Sequence, residues 1–491
     1  MTLLHTHSSY QRPVHMFGLS LLMGVIGGLG AVLFLRMLDL AQVWMLGAIA
    51  HVEPTTVTQA MSLQAIPQAG ALNWWIPVST TLGGLISGVL VYTFAPEAEG
   101  HGTDGAVKAY HQLGGYIRAR VIVVKSIASA VTIGSGGVAG REGPTAQIAA
   151  GVGSLIGRLL NLSEDEKRLM VLTGMAAGLS AIFKSPLGTA IFAVEVLYSS
   201  MAFDGRALPY TLTSAALGFA TVCLFTGWGT LFTVPSSVNF DAPVELLWYA
   251  LLGVLSGVMA AILPTVFYRL RDGFRALPIP NHVKPAIGGL IVGIVGMFAP
   301  QILAGGYGVM QLAVQGTLGA GVLFLLALSL LKVLTLSMTI GSGGSGGVFA
   351  PSLFVGALLG AALGTLMHHL GITDAPIAGL ALVGMAAVFG GAARVPIATM
   401  VMVAEMTGGY KLMAPTMLAV VISFLLQVWL TRKARYPSLY EAQLPGPEQS
   451  PIYKSAPGAL SRDARSVFQH SCRPCERPLR YCRTATTKGT T

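Results

Sequence analysis

Arg141 and Glu142 stand in a glycine-rich break, TIGSGGVAGREGP (Thr132–Pro144), between two apolar stretches. An ionisable pair set within apolar sequence is costly unless it has work to do. A second stretch, TIGSGGSGGVFAP (Thr339–Pro351), repeats the first with eight of thirteen residues identical and puts Val348 and Phe349 where the charged pair stood. GSGG does not sustain a helix interior, because each glycine costs about 1 kcal/mol relative to alanine. Pro144 and Pro351 suit the first turn of a helix, where no backbone donor is needed. Each motif therefore reads as one helix end, an open loop and a new helix start. A helix start presents free N–H groups and about half a positive charge, so two of them can converge on one anion. The stretch GHGTDGAVKAY from Gly100 reads as a third start, with Thr103 or Asp104 as its cap. The Glu142 carboxylate is itself an anion. It can fill the anion position and block it, or leave it when protonated or displaced; the alternative is a capping glutamate paired with Arg141 at a protein–water boundary.

These pieces belong to a longer repeat. Gly100–Gly102 (GHG) matches Gly306–Gly308 (GYG), Lys125 matches Lys332, and GMAA at Gly174 matches GMAA at Gly384. In the same frame Pro186, Thr189 and Glu195 meet Pro396, Thr399 and Glu405. Chance likeness of Gly/Ala-rich helices would not keep a lysine, two prolines and a glutamate in order at a nearly constant offset. Two homologous halves in a membrane chain point to inverted topology, with binding near the midplane on broken helices. Lys125 and Lys332 are expected to serve the scaffold, with a part in the pathway's potential as the alternative.

Composition says what must position these residues. Of 491 residues 53% are hydrophobic and 10% charged, and mean hydropathy is +0.68; soluble domains average about 25% charged. Apolar runs at Met16–Leu35, Leu246–Leu263, Pro285–Met297, Leu318–Leu331 and Leu412–Leu430 approach the roughly 20 residues of a membrane-spanning helix or stop short of it. The expected fold is an all-α polytopic membrane protein. Its parts are a polar segment 1–15, a first repeat 16–232, a second repeat 233–430 and a cytoplasmic tail 431–491, Pro-, Ser- and Arg-rich after about 445 and expected to be mostly disordered. The net charge of +10 gathers partly at Arg269, Arg271 and Arg275 and at Arg432, Lys433 and Arg435. These ends are expected on the cytoplasmic side, as are both termini. That topology accounts for the charge without nucleic acid. No cleavable signal peptide is evident. Cys223 reads as a buried small hydrophobe. Cys472 and Cys475 have metal-ligand spacing, but one such pair, with Cys482 nearby, is weak evidence for zinc.

GREGP at Gly140–Pro144, GGVFAP at Gly346–Pro351, the GHG loop, FKSPLGTAIFAVE from Phe183 and YPSLY at Tyr436–Tyr440 resemble, in order over roughly residues 16–442, the signatures of the CLC family of chloride channels and chloride/proton exchangers. The resemblance implies a homodimer of two inverted halves per subunit, each subunit carrying its own anion pathway in the plasma (inner) membrane of a prokaryote. Membrane lipid surrounds it, chloride is the transported ion, protons are a second candidate substrate, and no cofactor is expected. Carried over by position, Glu142 resembles the outer gating glutamate, Val348 and Phe349 the pair whose amides contact the anion, and Tyr440 the inner tyrosine. His101, Gly102, Arg141 and Gly143 complete the anion-binding set.

Two positions depart from the family pattern. His101 stands where chloride-type members often carry serine, and a histidine there is expected to alter anion preference or make binding pH-dependent. Val196 stands where many exchangers carry an inner proton glutamate, which favours a channel or a loosely coupled protein over an obligatory antiporter. Pro144 argues against fluoride as main substrate, and the short tail against nucleotide-sensing domains. A membrane enzyme holding phosphate would call for motifs such as GxxxxGK[ST], which the sequence lacks. A cation-coupled transporter of another inverted fold would call for intramembrane aspartates, yet Asp39, Asp104, Asp204 and Asp241 lie near segment ends.

Overall fold

The structure, a computed structural model, describes residues 8–52, 56–61, 63, 65, 72–372 and 375–454. Cys472, Cys475 and Cys482, the tail beyond residue 454 and the first seven residues lie outside that description. Among the described residues there are sixteen helices of nine residues or more, and no β-strand longer than an isolated bridge. The first eight are α1 (Ser8–Gln42), α2 (Trp75–Phe94), α3 (Thr103–Gln112), α4 (Ala119–Gly134), α5 (Glu142–Leu159), α6 (Glu164–Phe183), α7 (Pro186–Glu195) and α8 (Leu208–Thr226). The second eight are α9 (Glu245–Ala276), α10 (Lys284–Phe298), α11 (Tyr307–Gln315), α12 (Val322–Gly341), α13 (Phe349–His369), α14 (Ile377–Ala393), α15 (Pro396–Thr407) and α16 (Met413–Thr431). Each helix of the first set has its counterpart eight places on. Even unusual backbone is repeated: the left-handed residues that end α6 and α14, Lys184 (φ 53°) and Arg394 (φ 56°), are matched across the halves.

Seven helical spans are long and apolar enough to cross a membrane, among them Pro13–Ile49, Glu245–Ala276 and Tyr410–Thr431. Leu247, Leu251, Val254, Leu255 and Val258 form an exposed apolar stripe along α9, as a helix facing hydrocarbon requires. Trp44, Trp74, Trp75, Trp228 and Trp429 are exposed at or near segment ends, where interfacial aromatics sit. The chain is an integral, multi-pass membrane protein. α1 begins at Ser8, so the polar N-terminal stretch runs straight into the first helix. The apolar run expected from Leu318 starts its helix at Val322 and continues to Gly341.

The halves are inverted, and the hydrogen bonds prove it. Glu195, at the end of α7, accepts from Ile397 N (3.1 Å) and Ala398 N (2.7 Å) at the start of α15. Glu405, near the end of α15, accepts from Leu187 N (3.1 Å), Gly188 N (2.8 Å) and the Ser185 hydroxyl (2.5 Å) at the start of α7. Corresponding helices thus lie side by side and run in opposite directions. The same antiparallel approach brings α2 against α10. A Cβ on Gly84 would lie 2.2 Å from Pro285 O, and one on Gly289 would lie 2.2 Å from Thr80 O. Small residues at such crossings let helices pack in lipid, where little hydrophobic force drives association.

After α16 the chain turns back. Leu439 N donates to Ala392 O (2.9 Å), Leu444 N to Leu197 O (3.2 Å) and Ser199 N to Leu444 O (2.9 Å). Residues Ser438, Leu439 and Tyr440 are buried. The start of the tail is therefore stitched into the ends of α7 and α14.

Each of the two glutamates satisfies at least two backbone donors of the other half. Glu195→Ala and Glu405→Ala should each lower stability by about 2–4 kcal/mol, the cost of leaving buried partners unmet. Glutamine, which keeps an acceptor, should recover part of the loss. Thermal unfolding in detergent checks this, and an unchanged midpoint in both alanine variants would contradict the scaffold role.

Candidate functional site: a pocket between two helix starts

The two glycine-rich loops meet at the centre of the fold. Gly140 N donates to Gly347 O (2.7 Å), and Gly347 N donates to Gly140 O (2.6 Å). Gly136 (φ 100°) and Gly343 (φ 103°) turn the two loops at matched positions that a side chain would strain. Side chains brace the arrangement across the halves: Ser129 and Ser345 hydroxyls lie 2.9 Å apart, and Val138 N donates to the Thr339 hydroxyl (3.0 Å). Lys125 donates to Ala98 O (3.0 Å) and Gly100 O (2.7 Å), while Lys332 donates to Ile302 O (2.6 Å) and Ala304 O (2.9 Å). Both lysines are fully buried and hold the loops that precede α3 and α11. This is the scaffold role expected of them.

Three helix starts follow. α5 begins at Glu142 after Arg141, α13 at Phe349 after Val348, and α3 at Thr103 after Gly102. Neither Thr103 nor Asp104 caps α3. Gly102 holds that place with φ 85° and no side-chain bond. The Asp104 carboxylate instead accepts from Glu441 N (3.2 Å) and Ala442 N (3.1 Å), which fixes the returning tail. The starts of α3 and α5 approach so closely that a Cβ on Gly102 would lie 2.5 Å from Gly143 O.

Between them is a pocket of about 10 Å³, bordered by Glu142 and Gly143 of α5, Val348 and Phe349 of α13, Thr103, and Tyr440 of the tail. That volume is about one water-sized centre. Its other wall is aromatic and aliphatic, from Leu179, Phe183 and Phe192. Phe183, Phe349 and Phe389 pack with tilted rings, centres 4.3 and 4.1 Å apart. Tyr440 and Thr103 both border the pocket, so each brings a hydroxyl to its wall. The pocket thus offers backbone N–H dipoles and hydroxyls within an apolar wall, and no lysine or arginine lines it. Such a site suits a weakly hydrated anion that must be held and then released.

Glu142 is 1% exposed. Its carboxylate faces the Ala350 backbone N–H at the start of α13, and it accepts a hydrogen bond from the Tyr307 hydroxyl. The Glu142 carboxylate of one half is thus placed at the helix start of the other.

Two larger cavities are lined by chain neighbours of the pocket residues, Arg141 beside Glu142 and Gly102 beside Thr103. One, of 330 Å³, is lined by Asp39, Gln42, Arg141 and Tyr307. The other, of 510 Å³, is lined by His101, Asp104, Lys108, Arg271, Arg275 and Glu441 among others. The structure therefore brings Glu142, Gly143, Val348, Phe349 and Tyr440 together, with Gly102 directly behind Gly143. It puts Arg141 and His101 in the flanking cavities. The Arg141 guanidinium sits over the Tyr307 ring, 4.4 Å from its centre. His101 Nε2 lies 3.1 Å from Asp104, and its ring meets Tyr440 edge-on at 5.4 Å. Sequence reasoning missed Phe183, Leu179 and Phe192 as pocket wall, and Tyr307 altogether. Tyr307 had a signal: it is the repeat partner of His101, in GYG against GHG.

The chain is similar to known membrane transport proteins. A family model described as "Voltage gated chloride channel" matches residues 83–427. A putative chloride channel protein, ClcB-like, of Ralstonia nicotianae is 33% identical over 418 residues, covering 83% of this chain and 92% of that protein. An H(+)/Cl(-) exchange transporter, ClcA, of Salmonella paratyphi A is 32% identical over 405 residues, covering 80% and 84%. Among solved structures, a slow cyanobacterial Cl-/H+ antiporter has the same fold with TM-score 0.73 at 22% identity, covering 85% of this chain and 95% of that one. A CLC-type fluoride/proton antiporter gives TM-score 0.72 at 21% identity, covering 89% and 99%.

Gly102→Ala should disrupt the convergence of α3 and α5 and cost about 2–3 kcal/mol through strained backbone and contact with Gly143. Gly229→Ala, where a Cβ meets nothing within 4 Å, is the control. Thermal unfolding and chloride titration of the two variants should separate them clearly.

Proposed function

The chain belongs to the CLC family of voltage-gated chloride channels and exchangers, and from that premise we propose how it moves chloride. Its activity is chloride transport across a membrane, not catalysis. In the proposed cycle chloride passes from the cavity of mixed charge beside His101 and Arg271, through the pocket, to the cavity beside Arg141. Within the pocket it is held by the N–H groups at the starts of α5 and α13, by Gly143, Val348 and Phe349, and by the Tyr440 hydroxyl. Glu142 is the gate. The observation that carries this is the position of its carboxylate at the start of α13, where a permeating anion would draw on the same backbone dipoles. Charge against charge, the carboxylate and chloride compete for one place, so protonation or displacement of Glu142 opens the path.

The basic ends of α9 and α16 make the His101 side cytoplasmic, with both termini on that side of a prokaryotic inner membrane. The working unit is a homodimer with a pathway in each subunit. His101, at the inner mouth against Tyr440 and Asp104, tunes which anion enters.

On coupling, the position after Glu195 favours a channel-like or loosely coupled protein. Val196 is apolar and fully buried, and Glu195 is committed to backbone donors of α15. The second reading is obligatory chloride/proton exchange, supported by relatives named as H(+)/Cl(-) exchange transporters.

Reconstituted protein should dissipate a chloride gradient without nucleotide, and Glu142→Ala should pass chloride faster and lose its dependence on pH. Uphill proton movement driven by chloride in the wild type, lost in Glu142→Ala, would replace the channel-like reading with the second. Tyr440→Phe removes one hydrogen bond to the ion and should weaken chloride binding about tenfold, measured by titration calorimetry.

A further inference from the structure

Tyr307 is in none of the roles above, yet among the described residues its hydroxyl is the side-chain donor to the Glu142 carboxylate. We propose that Tyr307 is the latch of the gate, a positioning residue of the second half whose hydroxyl holds the Glu142 carboxylate of the first half across the pathway. The proposal rests on the reading of Glu142 as gate.

The surroundings of Tyr307 fix its ring and leave the hydroxyl pointed at one target. The residue opens α11, after Gly306 in left-handed backbone (φ 78°). The loop before it is pinned by Lys332 at Ile302 O and Ala304 O, and by Ala304 N at Gly136 O (3.1 Å). One face of the ring stacks near-parallel on Phe232, centres 6.2 Å apart and planes 22° apart. Phe232 is fully buried and its N–H is tied to Met406 O (2.9 Å) at the end of α15. The Arg141 guanidinium lies over the same ring, 4.4 Å from its centre. A phenol held by these two contacts loses little further freedom on bonding the carboxylate, so most of the bond's strength goes into holding the gate. A hydrogen bond to a charged acceptor is among the stronger ones.

The latch also has the right location. Tyr307 lines the 330 Å³ cavity, while Glu142 lines the pocket. A carboxylate that swings from pocket to cavity must first part from this hydroxyl. An anion arriving from the His101 side must displace the carboxylate against the same bond.

The test compares chloride flux and chloride affinity of the wild type, Tyr307→Phe, Glu142→Ala and the double variant in liposomes and detergent. Tyr307→Phe keeps the ring, its stacking and its contact with Arg141, and deletes only the hydroxyl. It should raise flux and tighten chloride binding, each about tenfold, the weight of one hydrogen bond to a charged group. In the Glu142→Ala background the same change should do nothing, because a latch without a bolt has no effect. If Tyr307→Phe yields no folded protein, Tyr307→Met carries the same test, since it too is apolar and lacks the hydroxyl. Unchanged or lowered flux in Tyr307→Phe, while Glu142→Ala alone opens the path, would overturn the latch and leave the gate standing. An effect of equal size with and without Glu142 would reduce Tyr307 to a structural residue. Glu142→Ala without effect on flux would overturn the gate and the latch together.

Discussion

Unwound backbone deep in a membrane has no water to satisfy it, so its N–H and C=O groups must find partners inside the protein. In this chain each half finds them on the other. Gly140 and Gly347 exchange two backbone hydrogen bonds, and Glu195 and Glu405 each serve the first turn of the opposite half's helix. Everything at the centre depends on this exchange. It allows three helices to begin in the interior, and their free N–H groups are what make the interior attractive to an anion.

The exchange is nearly symmetric, and function enters where symmetry fails. Lys125 and Lys332 do the same work on the same kind of loop. Glu142 and Phe349 occupy matched places, but one carries a charge that can move and the other a ring packed against Phe183 and Phe389. His101 and Tyr307 are likewise matched. One lies against Tyr440 and lines a cavity of mixed charge, the other bonds Glu142 and lines the second cavity. A scaffold built twice thus presents two different chemistries at the two mouths of one pocket. The small residues along α2 and α10 support this by letting inverted helices approach to backbone contact, which keeps the loops in register without relying on the hydrophobic effect.

The tail is the part of the site that arrives last along the chain. Tyr440 follows sixteen helices, yet its ring lies against His101 and it shares the pocket wall with Thr103, both far earlier in the chain. Asp104 accounts for this. Its carboxylate accepts from Glu441 and Ala442, which closes the chain on itself beside the pocket.

Much of this was legible in the residues alone, for physical reasons. Low charge and long apolar runs dictate a membrane solvent. A repeat that preserves lysines, prolines and glutamates at matched places dictates two like halves, and glycine with proline dictates where helices stop and restart. Local rules singled out Glu142, the family resemblance added Val348, Phe349 and Tyr440, and the fold brings these residues and Gly143 to one pocket. What the sequence could not determine was direction and distance. Arg141 and Glu142 are neighbours, yet successive residues at a helix start point to different sides, and only the fold sends the guanidinium to one cavity and the carboxylate to another. Phe183, Phe192 and Tyr307 looked like ordinary apolar or loop residues, because a pocket wall is made by helices that meet after the chain has folded. The Glu142 carboxylate, the Tyr307 hydroxyl that meets it and the Phe232 ring beside that tyrosine come from far-apart segments, and such a meeting is a property of tertiary structure.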